Sequence, residues 1–168
     1  VKIDGMFKDN EPNIELNEGD EGVVVLNKTP FYAESGGQVG DIGIIQGDNF
    51  EFIVNDTYKF NGSIFAHAGY VQSGKLNLKD KADAIININH RSNIKRNHSA
   101  THLLHKALKI VLGEHVEQKG SLVDSVKTRF DFSHNKALTS KEIKDVELIV
   151  NSEILQNQST QTRLMKIE

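Results

Sequence analysis

Near residue 90 the spacing of apolar side chains changes from every second residue to a helical period of 3.6. Any fold for this chain must therefore pass from sheet to helix at that point. Upstream, residues 22–27 form a short β-branched run that reads as a buried strand. Residues 40–45, 50–54, 64–71 and 83–88 continue the pattern, with turns expected at 46–49, 61–62 and 72–74. Strands this short and this regularly punctuated predict a small barrel or sandwich of antiparallel strands over residues 1–90. Residues 1–20 are polar with acidic punctuation and are expected to pack only in part. The segment from Thr29 to Gly37 carries Pro30 and the pair Gly36-Gly37, which makes it a loop.

Downstream, Asn93 is expected to cap a helix running to about Leu112, with Gly113 as its stop. Residues 115–123 and 126–132 read as strands joined at Asp124-Ser125. The Thr139-Ser140-Lys141-Glu142 stretch is a capping box. It precedes a helix whose apolar stripe is Ile143, Val146, Ile149, Val150, Ile154 and Leu155. Residues 160–167 read as a last strand. The fold class expected is α+β: a β-barrel subdomain over 1–90, then an α+β unit over 91–168 with helices on one face of an antiparallel sheet. A length of 168 residues suits one domain or two small ones.

The helix beginning near residue 93 holds the residues whose spacing asks for chemistry. His98 and His102 are four apart and share a face. In projection, Ala100, Leu103, Leu104, Ala107, Ile110 and Val111 gather on one side. His98, His102, His105 and Lys109 lie opposite. Two readings are open for that side: a solvated polar face, or one half of a metal site. Zinc takes four ligands, or three plus an open position, so two imidazoles fall short of a complete set. Three histidines along one straight helix do not converge tetrahedrally. The chain by itself is thus expected to bind zinc weakly or not at all. His67 sits within a strand pattern and is expected to be a packed or surface residue.

The run Arg96-Asn97-His98-Ser99-Ala100-Thr101-His102-Leu103-Leu104-His105 resembles the editing-domain signature of the alanyl-tRNA synthetases. His115-Val116-Glu117-Gln118-Lys119-Gly120-Ser121-Leu122-Val123 and Arg129-Phe130-Asp131-Phe132-Ser133-His134 are similar to the next two blocks of that family. Upstream, Thr29-Pro30-Phe31-Tyr32-Ala33-Glu34-Ser35-Gly36-Gly37-Gln38-Val39-Gly40-Asp41 looks like its hallmark loop. Free-standing trans-editing proteins share the module. The resemblance implies an editing site that hydrolyses tRNA(Ala) mischarged with serine or glycine. It implies zinc held by His98 and His102 together with a later Cys-x-x-x-His pair that has no counterpart here. It also implies that Thr101 and Gln118 discriminate or handle the mischarged amino acid. The loop residues Thr29, Ser35, Gly36 and Gly37 would wall the pocket, and Arg96 and Lys119 would meet the tRNA. Aminoacylation with ATP and magnesium would reside elsewhere in the parent enzyme, since no ATP-binding motif occurs here. The rest of the synthetase chain is then a partner, and Val1 in place of Met suggests a longer protein.

Charge agrees with a divided chain. Residues 1–60 hold twelve Asp/Glu against four Lys/Arg, whereas the remainder holds eleven against sixteen. A phosphate backbone would prefer the second part, around Arg91, Lys95, Arg96, Lys106, Lys109, Lys119, Lys127 and Arg129. With no cysteine the chain has neither a disulfide scaffold nor a thiolate metal site, which is compatible with a cytoplasmic setting. No apolar run approaches the roughly 18 residues of a membrane span, so no membrane partner is expected. Two other functions fit the same residues. One is a noncatalytic module that binds a tRNA acceptor stem. The other is an unrelated metallohydrolase completed by His90, His115 or His134.

Overall fold

The computed structural model describes residues 1–159, so the strand expected at 160–167 lies outside the described residues. Alternating burial drives the first eight strands. These are β1 (Ile3–Lys8), β2 (Glu11–Pro12), β3 (Glu15–Asn17), β4 (Glu21–Leu26), β5 (Gly43–Gly47), β6 (Phe50–Phe60), β7 (Ile64–Asn77) and β8 (Asp83–Ile86). They pair antiparallel in the order β2-β1-β4-β7-β6-β5-β8, with β3 added along the far end of β7. On β6 the side chains of Phe50, Phe52 and Val54 point inward at every second position. They meet Ile3, Met6, Leu16, Val24, Ile45, Val71 and Leu76 in one core. Each such side chain, fully buried, contributes about 1.5–3 kcal/mol.

The sheet does not close into the barrel expected from the strand spacing. The hydrogen bonds that would close it go to the turn before β8 rather than to β8 itself. Ile3 N–H donates to the Asp80 carbonyl (3.0 Å), Lys79 N–H to that of Ile3 (3.0 Å) and Ala82 N–H to that of Val1 (3.1 Å). Among the described residues these bonds amount to one isolated bridge, Lys2–Lys81, and not to a strand pairing. Residues 1–20 pack in part, as expected: Ile3 and Leu16 are fully buried and Met6 nearly so, on strands whose partners lie far along the chain, while residues 9–12 and 17–19 are exposed. One further expectation fails. Residues 72–74 do not turn, because Gly74 takes a positive φ of 76° and lets β7 bend and continue to Asn77.

His67 of β7 is fully buried. Its Nδ1–H donates to the Val24 carbonyl (2.8 Å), Thr29 Oγ1 donates to its Nε2 (2.8 Å), and Phe31 packs edge-on against the ring at 5.1 Å. It is a packed residue, as its place in a strand suggests. Burial lowers its pKa from the ordinary 6.5, outweighing the opposing bond to Val24. The folded chain then binds fewer protons here than the unfolded chain. This contribution to stability is complete above about pH 6.5, the unfolded value, and is lost as pH falls below it toward the folded value. Urea titrations from pH 7.5 down to 5 should show a steeper loss of stability for the wild type than for His67→Asn. Equal slopes would remove His67 from the acid limb.

The chain divides into two compact units. The first holds residues 1–98 and 121–129; the second holds residues 99–120 and the described residues from 130 on. The helix α1 (Ile88–Leu112) starts earlier than expected, capped by Asn87 rather than Asn93. The Asn87 side-chain oxygen accepts the His90 N–H at 3.0 Å, while Asn93 is engaged by Arg96. Gly113, at φ 116°, ends the helix as predicted. The strands β9 (Gln118–Val123) and β10 (Thr128–Phe132) form a separate two-stranded sheet. Helix α2 (Ser140–Gln156) begins with the expected capping box, Thr139 and Glu142 bonding reciprocally. The second unit buries Ala107, Leu108, Val116 and Val146 against Leu104, Phe130, Phe132 and Ile149. Fold class is thus α+β, with two helices among the described residues and a sheet whose strand pairings are antiparallel.

Candidate functional site

Between β4 and β5 the loop is held by one buried carboxylate. Asp41 is almost fully buried. It accepts the Tyr32 N–H at 2.6 Å and two bonds from Arg91 Nε, at 2.7 and 2.9 Å, with Arg91 Nη2 completing the pair. The same Arg91 nitrogen donates to the Pro30 carbonyl at 3.0 Å, which ties the loop to the first turn of α1. Thr57 Oγ1 donates to the Asp41 carbonyl at 2.8 Å.

At its tip the loop reverses over Ser35-Gly36-Gly37-Gln38. Ser35 and Gln38 exchange backbone hydrogen bonds of 3.1 and 3.0 Å, and Gly36 and Gly37 take φ of 61° and 81°. Left-handed conformation at both central positions is the requirement of a tight primed turn, and glycine meets it without strain. Gly37 has a second constraint. A Cβ there would overlap the Ser121 carbonyl oxygen and hydroxyl. Around it, Val123 N–H donates to the Gly37 carbonyl (2.7 Å) and Val39 N–H to that of Val123 (3.1 Å). Gly37→Ala should therefore cost about 1–2 kcal/mol for the backbone and about 1–3 kcal/mol for the overlap. Gly36→Ala, with open space around it, should cost only the first. Denaturant midpoints for the two variants give the comparison, and equal losses would dismiss the overlap.

The turn directs the Gln38 side chain, itself buried, onto the helix. Gln38 Oε1 lies 2.6 Å from His98 Nδ1. The neighbouring Asn97 Nδ2 donates to the Asp124 carbonyl at 2.8 Å. Of the loop residues expected to face a substrate, Thr29 has its hydroxyl inside the loop, accepting the Phe31 N–H (3.1 Å) and donating to His67. Ser35 and Gly36 are exposed and Gly37 is half-buried. Arg96 is exposed and bonds Asn93.

In the second unit Thr101 is buried, whereas His102, Gln118 and Lys119 are exposed. Lys119 pairs with Glu117 at 2.8 Å. The expected division of the helix into an apolar and a histidine face needs correction. Ser99, His102, Lys106 and Ile110 form its solvent line, with Ile110 59% exposed. His105 turns inward against Phe130, ring centres 5.1 Å apart, so it belongs to the packing of that unit. His115 and His134 stack, with Nε2 and Nδ1 2.9 Å apart.

His98 and His102 lie one turn apart on a continuous helix. His98 bonds through Nδ1, as a metal-ligating histidine does through its other nitrogen. Among the described residues no three His, Asp or Glu side chains group where a metal ion could sit. Two open clefts occur elsewhere on the first unit, one around Phe7, Glu21 and Tyr70 and one around Val1, Gly47 and Lys81. Neither holds any of these residues. Gln38, Arg91 and Asp41 carry the geometry, yet spacing alone singled out none of them. The one signal was that Gln38 follows two glycines in a loop.

A family model for tRNA synthetases class II (A) matches residues 1–90, more than half of the sequence, and the chain belongs to that family. Within it, the chain is 53% identical over 167 residues to an alanine–tRNA ligase of Methylobacillus flagellatus. It is 54% identical to that of Dechloromonas aromatica and 50% identical to that of Polynucleobacter asymbioticus. These matches cover 99%, 96% and 100% of this chain but 19% of each relative, so the chain spans about a fifth of their length. No helix among the described residues is long and apolar enough to cross a membrane.

Proposed function

We propose that this chain is the editing region of an alanine–tRNA ligase, which hydrolyses the ester of tRNA(Ala) carrying serine or glycine. The single observation that carries the reading is the seating of the Gly36-Gly37-Gln38 turn on His98 of α1, since it joins the loop to the helix that bears the two histidines. The similarity to alanine–tRNA ligases along the whole chain supports it. Editing meets a limit of binding. A pocket shaped for a small side chain cannot strongly exclude a smaller one, and an added hydroxyl is rejected only about a hundredfold. A second, hydrolytic site supplies the rest.

In this reading Thr101 hydrogen-bonds the serine hydroxyl and Gln118 orients the ester or amino group. Exposed Arg96 and Lys119 meet the phosphate backbone, and the Ser35-Gly36 tip lies against the substrate. His98 and His102 would hold zinc together with ligands from outside the described residues. A zinc ion bound there would polarise the ester carbonyl or lower the pKa of water. The partners implied are tRNA(Ala) and the remainder of the synthetase, where ATP and magnesium would serve aminoacylation.

Deacylation of Ser-tRNA(Ala) and Ala-tRNA(Ala) by a full-length ligase containing this sequence tests the assignment. Thr101→Val should lower the preference for the seryl ester by up to about tenfold, the worth of one hydrogen bond. Gln118→Ala should slow both esters. Wild-type rates and selectivity in both variants would remove those roles.

A further inference from the structure

We infer that Gln38 is a positioning residue for His98, fixing which imidazole nitrogen carries the proton and which faces the chemistry. The inference rests on the editing reading for its use, though not for its geometry. An amide oxygen only accepts, so the 2.6 Å contact from Oε1 requires a proton on His98 Nδ1. The lone pair then resides on Nε2, the nitrogen that would take a metal ion or a substrate proton.

Three features show that the arrangement is built rather than incidental. Gln38 is buried, so its side chain has little room to sample other rotamers. Its backbone is held by the exchange of hydrogen bonds with Ser35 on one side and by the bridge to Val123 on the other. The two glycines before it supply the left-handed backbone of this turn, and the second also admits the Ser121 oxygens. The turn and the glutamine thus act as one device: Gly36 and Gly37 shape it, and Gln38 delivers the acceptor. A bond that orients an imidazole at its far nitrogen typically governs affinity or activity by roughly 10–100-fold.

Long-range proton–nitrogen correlation spectra of the 15N-labelled 168-residue chain, free of metal and near pH 8, read the tautomer directly. His67 is an internal standard, because its Nδ1–H bond to Val24 places it in the same tautomer and reports that the first unit is folded. Wild-type His98 should show the His67 pattern, protonated at Nδ1. Gln38→Leu should shift it toward Nε2–H while the His67 signals stay in place, and Gln38→Glu, which keeps the acceptor, should restore Nδ1–H. A wild-type His98 protonated at Nε2 would overturn the inference, and so would a Gln38→Leu spectrum unchanged from wild type. If Gln38→Leu loses the His67 pattern, the wild-type and Gln38→Glu spectra decide. In full-length ligase, Gln38→Leu should lower kcat for seryl-ester hydrolysis by roughly 10–100-fold with KM little changed. Absence of hydrolysis in the wild-type ligase would defeat the editing reading and leave the tautomer result standing.

Discussion

Replacing Arg91 with leucine should destabilise the chain by about 3 kcal/mol, the lower end of the cost of breaking a buried ion pair. Asp41 is 2% exposed at its side chain and Arg91 28% exposed. Removing the guanidinium therefore strands a carboxylate that water barely reaches, and it frees the Pro30 carbonyl as well. The Arg91 guanidinium is charged at any ordinary pH, and its hydrogen bonds to Asp41 push its pKa higher still, so no change of ordinary pH relieves the pair from that side. Urea unfolding of Arg91→Leu gives the magnitude. Asp41→Asn in the same background should recover part of the loss, because a neutral amide costs less to bury than an unpaired charge. A loss below about 0.5 kcal/mol, the scale of an ordinary surface change, would mean that the pair does not organise the loop. The functional consequence follows from position. Arg91 and Asp41 hold the loop whose tip presents Gln38, so the variant should also disturb the His98 tautomer without touching either residue of that bond.

What could be read before the structure divides along physical lines. The switch to a helical period, the Gly113 stop and the Thr139–Glu142 capping box depend on neighbours a few residues apart, and all are found where they were expected. The strands β4 to β8 carry their own alternation and were visible for the same reason. The N-terminal strands were not. Ile3, Met6 and Leu16 are single apolar residues among acidic ones, and their partners on β4 and β7 lie some way down the sequence. Asn87 was missed as a cap because Ile88 extends the β-branched run of β8. Barrel closure depends on which backbone groups bond at two distant edges, and composition does not record that.

The site shows the same division. His98 and His102 stand out by spacing, since helical geometry alone places them one turn apart. His105 looked equivalent to them but is drawn to Phe130, because the buried side of α1 is wider than a single apolar stripe. Thr29 looked available by its hydroxyl, yet the buried His67 holds it. Gln38 has no periodic mark, and only the two glycines before it single it out. Its role arises from a turn that brings residue 38 to residue 98.

The proposed function requires His98 at the centre that hydrolyses the aminoacyl ester. Its most direct test is single-turnover hydrolysis of Ser-tRNA(Ala) by full-length ligase with and without His98→Ala, aminoacylation being followed in the same preparation. In the proposed function His98 stands at the chemistry itself, so its loss should exceed the roughly 10–100-fold effect of an outer partner, while aminoacylation with alanine stays unchanged. Hydrolysis that persists at the wild-type rate would contradict the assignment of this helix as the editing centre.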